Sequence, residues 1–316
     1  MKLLVTGGAG FIGSNYVRHV LATSDDHITI FDVLTYAGGL DTMTDVLADD
    51  RVEFVHGDIC DRDAVLAALP GHDAVVHFAA ESHVDRSISG PDAFVLTNAL
   101  GTNVLCDVAR QVGVERFLHI STDEVYGSRV SGFFTESDIL SPSSPYSAAK
   151  AASDLIALGY LTTFGLPVIV TRSSNNYGPF QYPEKLIPLF VTNLLEGKAV
   201  PVYGAGTNVR DWIFAADNCA GVDTVLRHGD VGEIYNIGGG NEVSNLTLTQ
   251  KLIELTGRDE SAIEYVDDRL GHDFRYAVDC SKAQQLGWKP RISVDQGLEQ
   301  TVRWYSDNEQ WWRSRR

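Results

Sequence analysis

The sequence predicts an α/β protein, a doubly wound parallel sheet with a smaller α/β lobe beside it. Three observations carry that prediction. Short strand-like runs alternate with helix-period segments over residues 1–172, a glycine-rich loop joins the first run to the first helix, and the alternation breaks after Arg172. Strand and helix in strict alternation need a parallel sheet covered on both faces.

In chain order, Leu3–Thr6, Ile28–Phe31, Val52–His56, Ala74–Phe78, Phe117–Ser121 and Val168–Arg172 read as buried strands. Asn15–Leu21, Ala64–Leu69 and Gly101–Val112 carry apolar residues at helical spacing between them. Beyond Arg172, Asn175-Asn176-Tyr177-Gly178-Pro179 reads as a turn cluster. A strand pair is expected at Val200–Tyr203 and Ile234–Ile237, then helices at Leu246–Thr256, Ser281–Leu286 and Val294–Tyr305. The last of these, with Trp304, Tyr305, Trp311 and Trp312, reads as an amphipathic terminal cover for the core. The expected division is a first lobe over 1–172, to which about 207–237 returns, and a second lobe formed mainly by 173–316.

With 316 residues, 44% hydrophobic and 21% charged, the chain has the balance of a soluble globular protein. It contains no apolar run long enough to cross a bilayer and opens directly into the first strand, which predicts a cytoplasmic protein. A formal charge of -17 argues against binding nucleic acid or an anionic membrane. Arginines facing one cleft can still hold a small anion. Cys60, Cys106, Cys219 and Cys280 form no CxxC pair and the histidines no metal-ligand spacing, so reduced thiols and no bound metal are expected.

The first strand runs into Gly7-Gly8-Ala9-Gly10-Phe11-Ile12-Gly13, a GxxGxxG loop that opens a helix. Gly7 allows the tight turn, Gly10 the approach of a diphosphate, and Gly13 close packing of helix on strand. Amides at the helix start then face phosphate charge. The context of strand before and helix after gives the motif its weight, and the lobe reads as a Rossmann unit. Asp32 ends the second strand, 19 residues beyond Gly13, where an acid accepts the ribose hydroxyls of NAD and repels the extra phosphate of NADP. A solvated acid at a strand end has the same appearance. By position, Leu34 and Thr35 follow that acid, Asp58 and Ile59 lie near the adenine, and Ala79 and Ala80 near the nicotinamide ribose. Simple strand-to-helix turns also occupy such positions.

Tyr146 and Lys150 form a YxxxK pair on one helix face. The ammonium is expected to lower the tyrosine pKa, so that the phenolate removes a hydroxyl proton as hydride leaves the same carbon for NAD. Alone, such a pair is more often an ordinary surface feature; its place after the fifth strand of a glycine-loop lobe changes that. Thr122 supplies a hydroxyl beside it, and Asp123 and Glu124 follow at the carboxyl end of the strand. Two solvated acids in a turn would look alike. Beside a newly formed ketone they have a use, one as base for the proton alpha to the carbonyl and the other, protonated, as donor to a departing hydroxyl.

Gly7–Ser14, Leu34–Gly38, Ala79–Ser87 (AAESHVDRS), Thr122–Gly127 (TDEVYG), Tyr146–Lys150, Asn175–Pro188 (NNYGPFQYPEKLIP), Asn208–Trp212 and Asp268–Asp279 together resemble the dTDP-glucose 4,6-dehydratases over nearly the whole chain. The resemblance implies that Tyr146 takes the C4 hydroxyl proton of the sugar, Glu124 the C5 proton, and Asp123 protonates the C6 hydroxyl that leaves as water. NAD would be held tightly and restored each turnover. It further implies that Glu81, Ser82 and Asn176 surround sugar and phosphates. Lys185, Leu186, Pro201 and Tyr203 would frame the nucleoside, and Arg210, Asn245, Arg269 and His272 contact diphosphate and ribose. A homodimer, pairing through the Gly101–Val112 and Tyr146–Leu158 helices, is implied as well. The family commonly reads DRPGHDRRYA where this chain has Leu270 and Phe274. The rival readings are a nucleotide-sugar epimerase or decarboxylase on the same scaffold, and a non-catalytic NAD-binding regulator; the acid pair opposes the first and the intact Tyr146/Lys150 pair the second.

Overall fold

The computed structural model describes residues 1–268 and 272–316. From the amino terminus, β1 (Lys2–Thr6) leads through the glycine loop into α1 (Phe11–Thr23), then β2 (His27–Asp32) and β3 (Val52–His56). After α2 (Arg62–Ala68) the chain returns to the sheet centre as β4 (Ala74–His77), beside β1. Two short helices, α3 (Val84–Ser89) and α4 (Pro91–Phe94), and a π-helical segment at Val95–Gly101 precede α5 (Thr102–Val112). Next come β5 (Arg116–Thr122), α6 (Pro145–Phe164) and β6 (Val168–Ser173).

The chain continues as β7 (Asn175–Tyr177), α7 (Leu186–Leu195), β8 (Val200–Tyr203), β9 (Val209–Phe214), α8 (Ala215–His228), β10 (Ile234–Ile237) and β11 (Glu242–Ser244). It ends with α9 (Asn245–Leu255), β12 (Ile263–Val266), α10 (Ser281–Gln285), α11 (Val294–Asp307) and α12 (Glu309–Arg313). The large sheet has the order β10-β6-β5-β4-β1-β2-β3, and every neighbouring pair in it is parallel. Its chain order reverses between β1 and β4, and such a reversal opens a crevice at the strand carboxyl ends.

Apolar side chains separate into three main cores. Tyr16, Val17 and Val20 of α1 meet Val222, Val225 and Leu226 of α8 on one face of the sheet. Leu105, Val108 and Ala109 of α5 pack with Ala157 of α6 on the other. A separate core joins α7, β8, α9 and α11, and the terminal Tyr305 and Trp312 are buried within it.

Two expectations are corrected. Val200–Tyr203 and Ile234–Ile237 are strands but not partners: β8 pairs with β12, and β10 extends the large sheet beside β6. Apolar periodicity identifies a strand without naming its neighbour, which long-range packing selects. The expected turn at Asn175–Pro179 instead begins as β7, parallel to β9. The Tyr177 ring is buried edge-on against Trp212 and Phe214, and that burial outweighs the local turn preference of two asparagines.

Candidate active site

A cavity of about 320 Å³ opens at the sheet's reversal point, lined among others by Gly7, Gly10, Phe11, Ile12, Gly13, Asp32, Thr35, Asp58, Ile59, Ala79 and Ala80. Gly7 has φ +71°, and a Cβ there would meet the Ala79 backbone nitrogen at 2.5 Å. A Cβ on Gly13 would run into the Gly7 carbonyl, so the first turn of α1 packs directly on the loop. Only glycine leaves this cradle open at both places. Asp32 is held by the amides of Ala9 and Leu34, at 2.9 and 2.8 Å, and burial raises its pKa. Leu34 contributes through that amide while its side chain packs on the core.

Tyr146 and Lys150 line the same cavity. They sit there because α6 starts one residue earlier. Ser144 and Ser147 form a reciprocal capping box and Pro145 takes the first turn, which sets the helix phase. The Lys150 ammonium donates to the Ile120 carbonyl at 2.7 Å, and burial lowers its pKa to about 8. Tyr146 departs from the sequence expectation. Burial, then the Glu124 carboxylate, raise its pKa, while the Thr122 hydroxyl bonded to it pulls the other way. The ammonium is engaged with a carbonyl and does not by itself create a phenolate.

At the end of β5, Ser121 faces this cavity and Glu124 a second one of about 440 Å³. Thr122 and Asp123 are buried between them, and the Thr122 hydroxyl donates to Asp123 Oδ1 at 3.3 Å. Asp123 is 2% exposed, and its Oδ2 meets no hydrogen-bond partner among the described residues. Burial, then Glu124 and Asp211, push its pKa well above the ordinary carboxyl range. A protonated Asp123 next to a cavity-facing Glu124 is an acid and a base side by side.

The second cavity collects Ser82, Asn176, Lys185, Leu186, Pro201, Tyr203, Arg210, Asn245 and His272. Glu81 opens on the first cavity instead, its backbone clamped in both directions by the Asn98 amide. Arg269 and Leu270 lie outside the described residues. Phe274 is exposed, and its backbone does the local work: its amide meets Ser128 Oγ at 3.0 Å and its carbonyl accepts from Val209. Arg210 is fixed by the Asp273 carbonyl at 2.8 Å and lies 4.4 Å from the ring centre of Tyr276. Tyr276 lines the cavity and was not anticipated. It falls within the Asp268–Asp279 motif, which by itself assigns it no role; its hydroxyl is aimed by Asp273, at 2.5 Å. Ser82, Gln181, Glu184 and Lys185 border both cavities, which therefore adjoin.

Residues 4–301 match the family model described as GDP-mannose 4,6 dehydratase. A dTDP-glucose 4,6-dehydratase of Streptomyces antibioticus is 54% identical over 99% of this chain and 94% of its own length. The chain belongs to the dTDP-glucose 4,6-dehydratase family. The low-salt glycan biosynthesis protein Agl12 of Haloferax volcanii is 53% identical over 96% of this chain and 98% of that protein. The crystal structure of DesIV, the dTDP-glucose 4,6-dehydratase of Streptomyces venezuelae, solved with NAD and dTDP bound, superposes with a TM-score of 0.98. It is 53% identical, with both chains covered completely. The dehydratase fold and its parallel seven-stranded sheet are thus shared over the entire length.

Proposed function

We propose that the protein dehydrates dTDP-glucose to dTDP-4-keto-6-deoxyglucose, with NAD as a cofactor that is restored in each turnover. The observation that carries the proposal is the buried Asp123 carboxyl beside Glu124 and Tyr146, its Oδ2 without a hydrogen-bond partner among the described residues. An epimerase has no need of that acid and base pair.

The first cavity fits NAD: Gly7 and Gly13 let the loop turn and α1 pack closely, Gly10 leaves the backbone open to its diphosphate at the start of α1, and Asp32 is positioned for ribose hydroxyls. Bound there, NAD supplies a hydride acceptor for C4 and returns the hydride to C6. Tyr146 accepts the C4 hydroxyl proton, assisted by Lys150 and the Thr122 hydroxyl. Burial and Glu124 oppose ionisation of Tyr146, so a positively charged nicotinamide ring held in this cavity would be the further charge that favours the phenolate. Glu124 removes the C5 proton, made acidic by the adjacent ketone, and Asp123 delivers its proton to the C6 hydroxyl. Arg210 and His272 hold the diphosphate and ribose, while Lys185, Leu186, Pro201 and Tyr203 frame the nucleoside. On this reading the lobe around the large sheet is the cofactor lobe, and the one around α7, α9 and α11 receives the nucleotide sugar.

Among the described residues no helix is long and apolar enough to cross a membrane. A cytoplasmic location is part of the proposal. So is a homodimer. Leu96 and Leu100 on the π-helical segment and Leu155 on the adjoining α6 are about half exposed, an apolar face suited to a second copy.

Incubating the protein with dTDP-glucose and following product mass tests the proposal. Loss of one water without net consumption of NAD is the expected result. An unchanged mass with inversion at C4 would replace dehydration by epimerisation.

A further inference from the structure

We propose that Gln181 is a further binding residue of the dehydratase site, its side-chain oxygen accepting a hydrogen bond where the nicotinamide end of NAD meets the sugar. This rests on the reading of the two cavities given above. Gln181 lines both of them, and so do Ser82, Glu184 and Lys185. Of these four, Gln181 is the buried one, at 8% exposed.

A bond of its nitrogen settles which way the amide points. That nitrogen donates to the Asn176 carbonyl at 2.9 Å, and a carbonyl can only accept. The oxygen therefore lies at the other end, where it is buried and meets no hydrogen-bond partner among the described residues. Its neighbours along the border are engaged: Glu184 bonds Tyr36 and Arg86, and the Lys185 ammonium donates to the Ser82 carbonyl at 2.6 Å. A buried acceptor left unpaired is costly, and an apolar side chain of the same length would fill the space without that cost. In a wall shared by two ligand cavities, a donor on a ligand explains the amide.

The main chain is built to hold this position. Phe180, the residue before, has φ +67°, a left-handed conformation that a bulky side chain rarely adopts. Its ring is clamped from three sides. The Arg18 guanidinium carbon lies 3.9 Å from the ring centre, and the rings of Trp304 and Trp311 lie at 4.7 and 5.9 Å. These contacts offset the strain, so the terminal tryptophans do more than cover a core. The Pro179 carbonyl accepts from Asn15 Nδ2 at 3.0 Å, an amide that also donates to the Phe11 carbonyl at the start of α1. The Gln181 carbonyl accepts from the Tyr305 hydroxyl of α11. The segment is thus pinned to both lobes, with Gln181 between them.

The partner of the amide oxygen is an N–H or O–H group. Two sources carry one here, the carboxamide of nicotinamide and the hydroxyls of the sugar. Hydride passes between these two rings, so a group that fixes either against the other serves the transfer.

The test uses the NAD-loaded enzyme with Gln181→Met, which keeps the length and removes the acceptor, and with Gln181→Glu, which keeps an acceptor oxygen. Retention of NAD through gel filtration reads the cofactor, and kcat/KM for dTDP-glucose reads the whole substrate. Inhibition by dTDP reads the nucleoside and diphosphate alone. Gln181→Met is expected to weaken NAD retention or kcat/KM by about 10-fold, the equivalent of one buried hydrogen bond, with dTDP inhibition unchanged. Weakened NAD retention assigns the bond to the carboxamide; full retention with reduced kcat/KM assigns it to a sugar hydroxyl. Gln181→Glu is expected to keep most of what the methionine variant loses. If Gln181→Met does not accumulate as folded protein, Gln181→Ala removes the same acceptor with no demand on space. NAD retention and kcat/KM both within twofold of wild type overturn the proposal. An equal loss of dTDP inhibition in both variants also overturns it, because a displaced loop then accounts for the effect. A wild-type enzyme that releases no water from dTDP-glucose overturns the dehydratase reading beneath it, and the role of Gln181 with it.

Discussion

Tyr36, in the loop that follows β2, donates to Glu184 Oε1 at 2.9 Å, and Glu184 lies where the two cavities meet. Arg86 completes the bridge, bonding Glu184 Oε2 at 2.9 Å and lying 3.8 Å from the Tyr36 ring centre. The bridge ties the loop beside Asp32 to Glu184, which borders both cavities. Tyr36→Phe is expected to weaken NAD retention by about 5-fold, the equivalent of roughly 1 kcal/mol for one partly exposed hydrogen bond. Counting NAD per chain after gel filtration checks it, and full retention would deny the bridge a holding role.

Glu124→Gln keeps the shape of the residue and removes the base. Water loss from dTDP-glucose should fall by about 100-fold or more, with dTDP affinity nearly unchanged. Product mass spectrometry and calorimetric titration with dTDP separate the two effects. Ordinary turnover in this variant would take Glu124 out of the chemistry.

Asp123 predicts opposite changes in stability and activity. Its folded pKa is raised, first by burial and then by Glu124 and Asp211, so its contribution to stability is present at low pH and is lost as pH rises through the folded value. Asp123→Asn is neutral throughout. The variant should therefore melt higher than wild type at alkaline pH, with the gap shrinking toward acid pH, while dehydration drops by about 100-fold. Melting curves at pH 5 and pH 9 read the sign directly.

Leu155 is 62% exposed on α6. If that face joins two copies, Leu155→Arg places a charge in an apolar contact and shifts the mass toward monomer, as light scattering at micromolar concentration would record. A monomeric wild-type mass would remove the dimer from the proposal.

Trp312 is completely buried, and its indole nitrogen donates to the Tyr305 carbonyl at 2.8 Å. Trp312→Ala should cost about 3–5 kcal/mol through the cavity it leaves. Urea unfolding followed by circular dichroism is the measurement, and a loss below about 1 kcal/mol would show that the terminal helix closes up around the gap.

Much of this protein is written locally. Strand and helix order through β6, the glycine cradle, Asp32 at a strand end, the Tyr146/Lys150 spacing and the Thr122-Asp123-Glu124 run are properties of neighbours in the chain, so periodicity and motif context determined them in the sequence by itself. Tertiary structure decided the rest, because the deciding quantities are distances between residues far apart. It set β8 against β12 and β10 against β6, and made a strand of Asn175–Tyr177 by burying Tyr177. It also carried Tyr276 into the cavity beside Arg210. The same holds for protons: an Asp is acid or base according to the water and charge around it. Only folding buries Asp123 beside Glu124 and encloses Asp154 between His119 and Arg172.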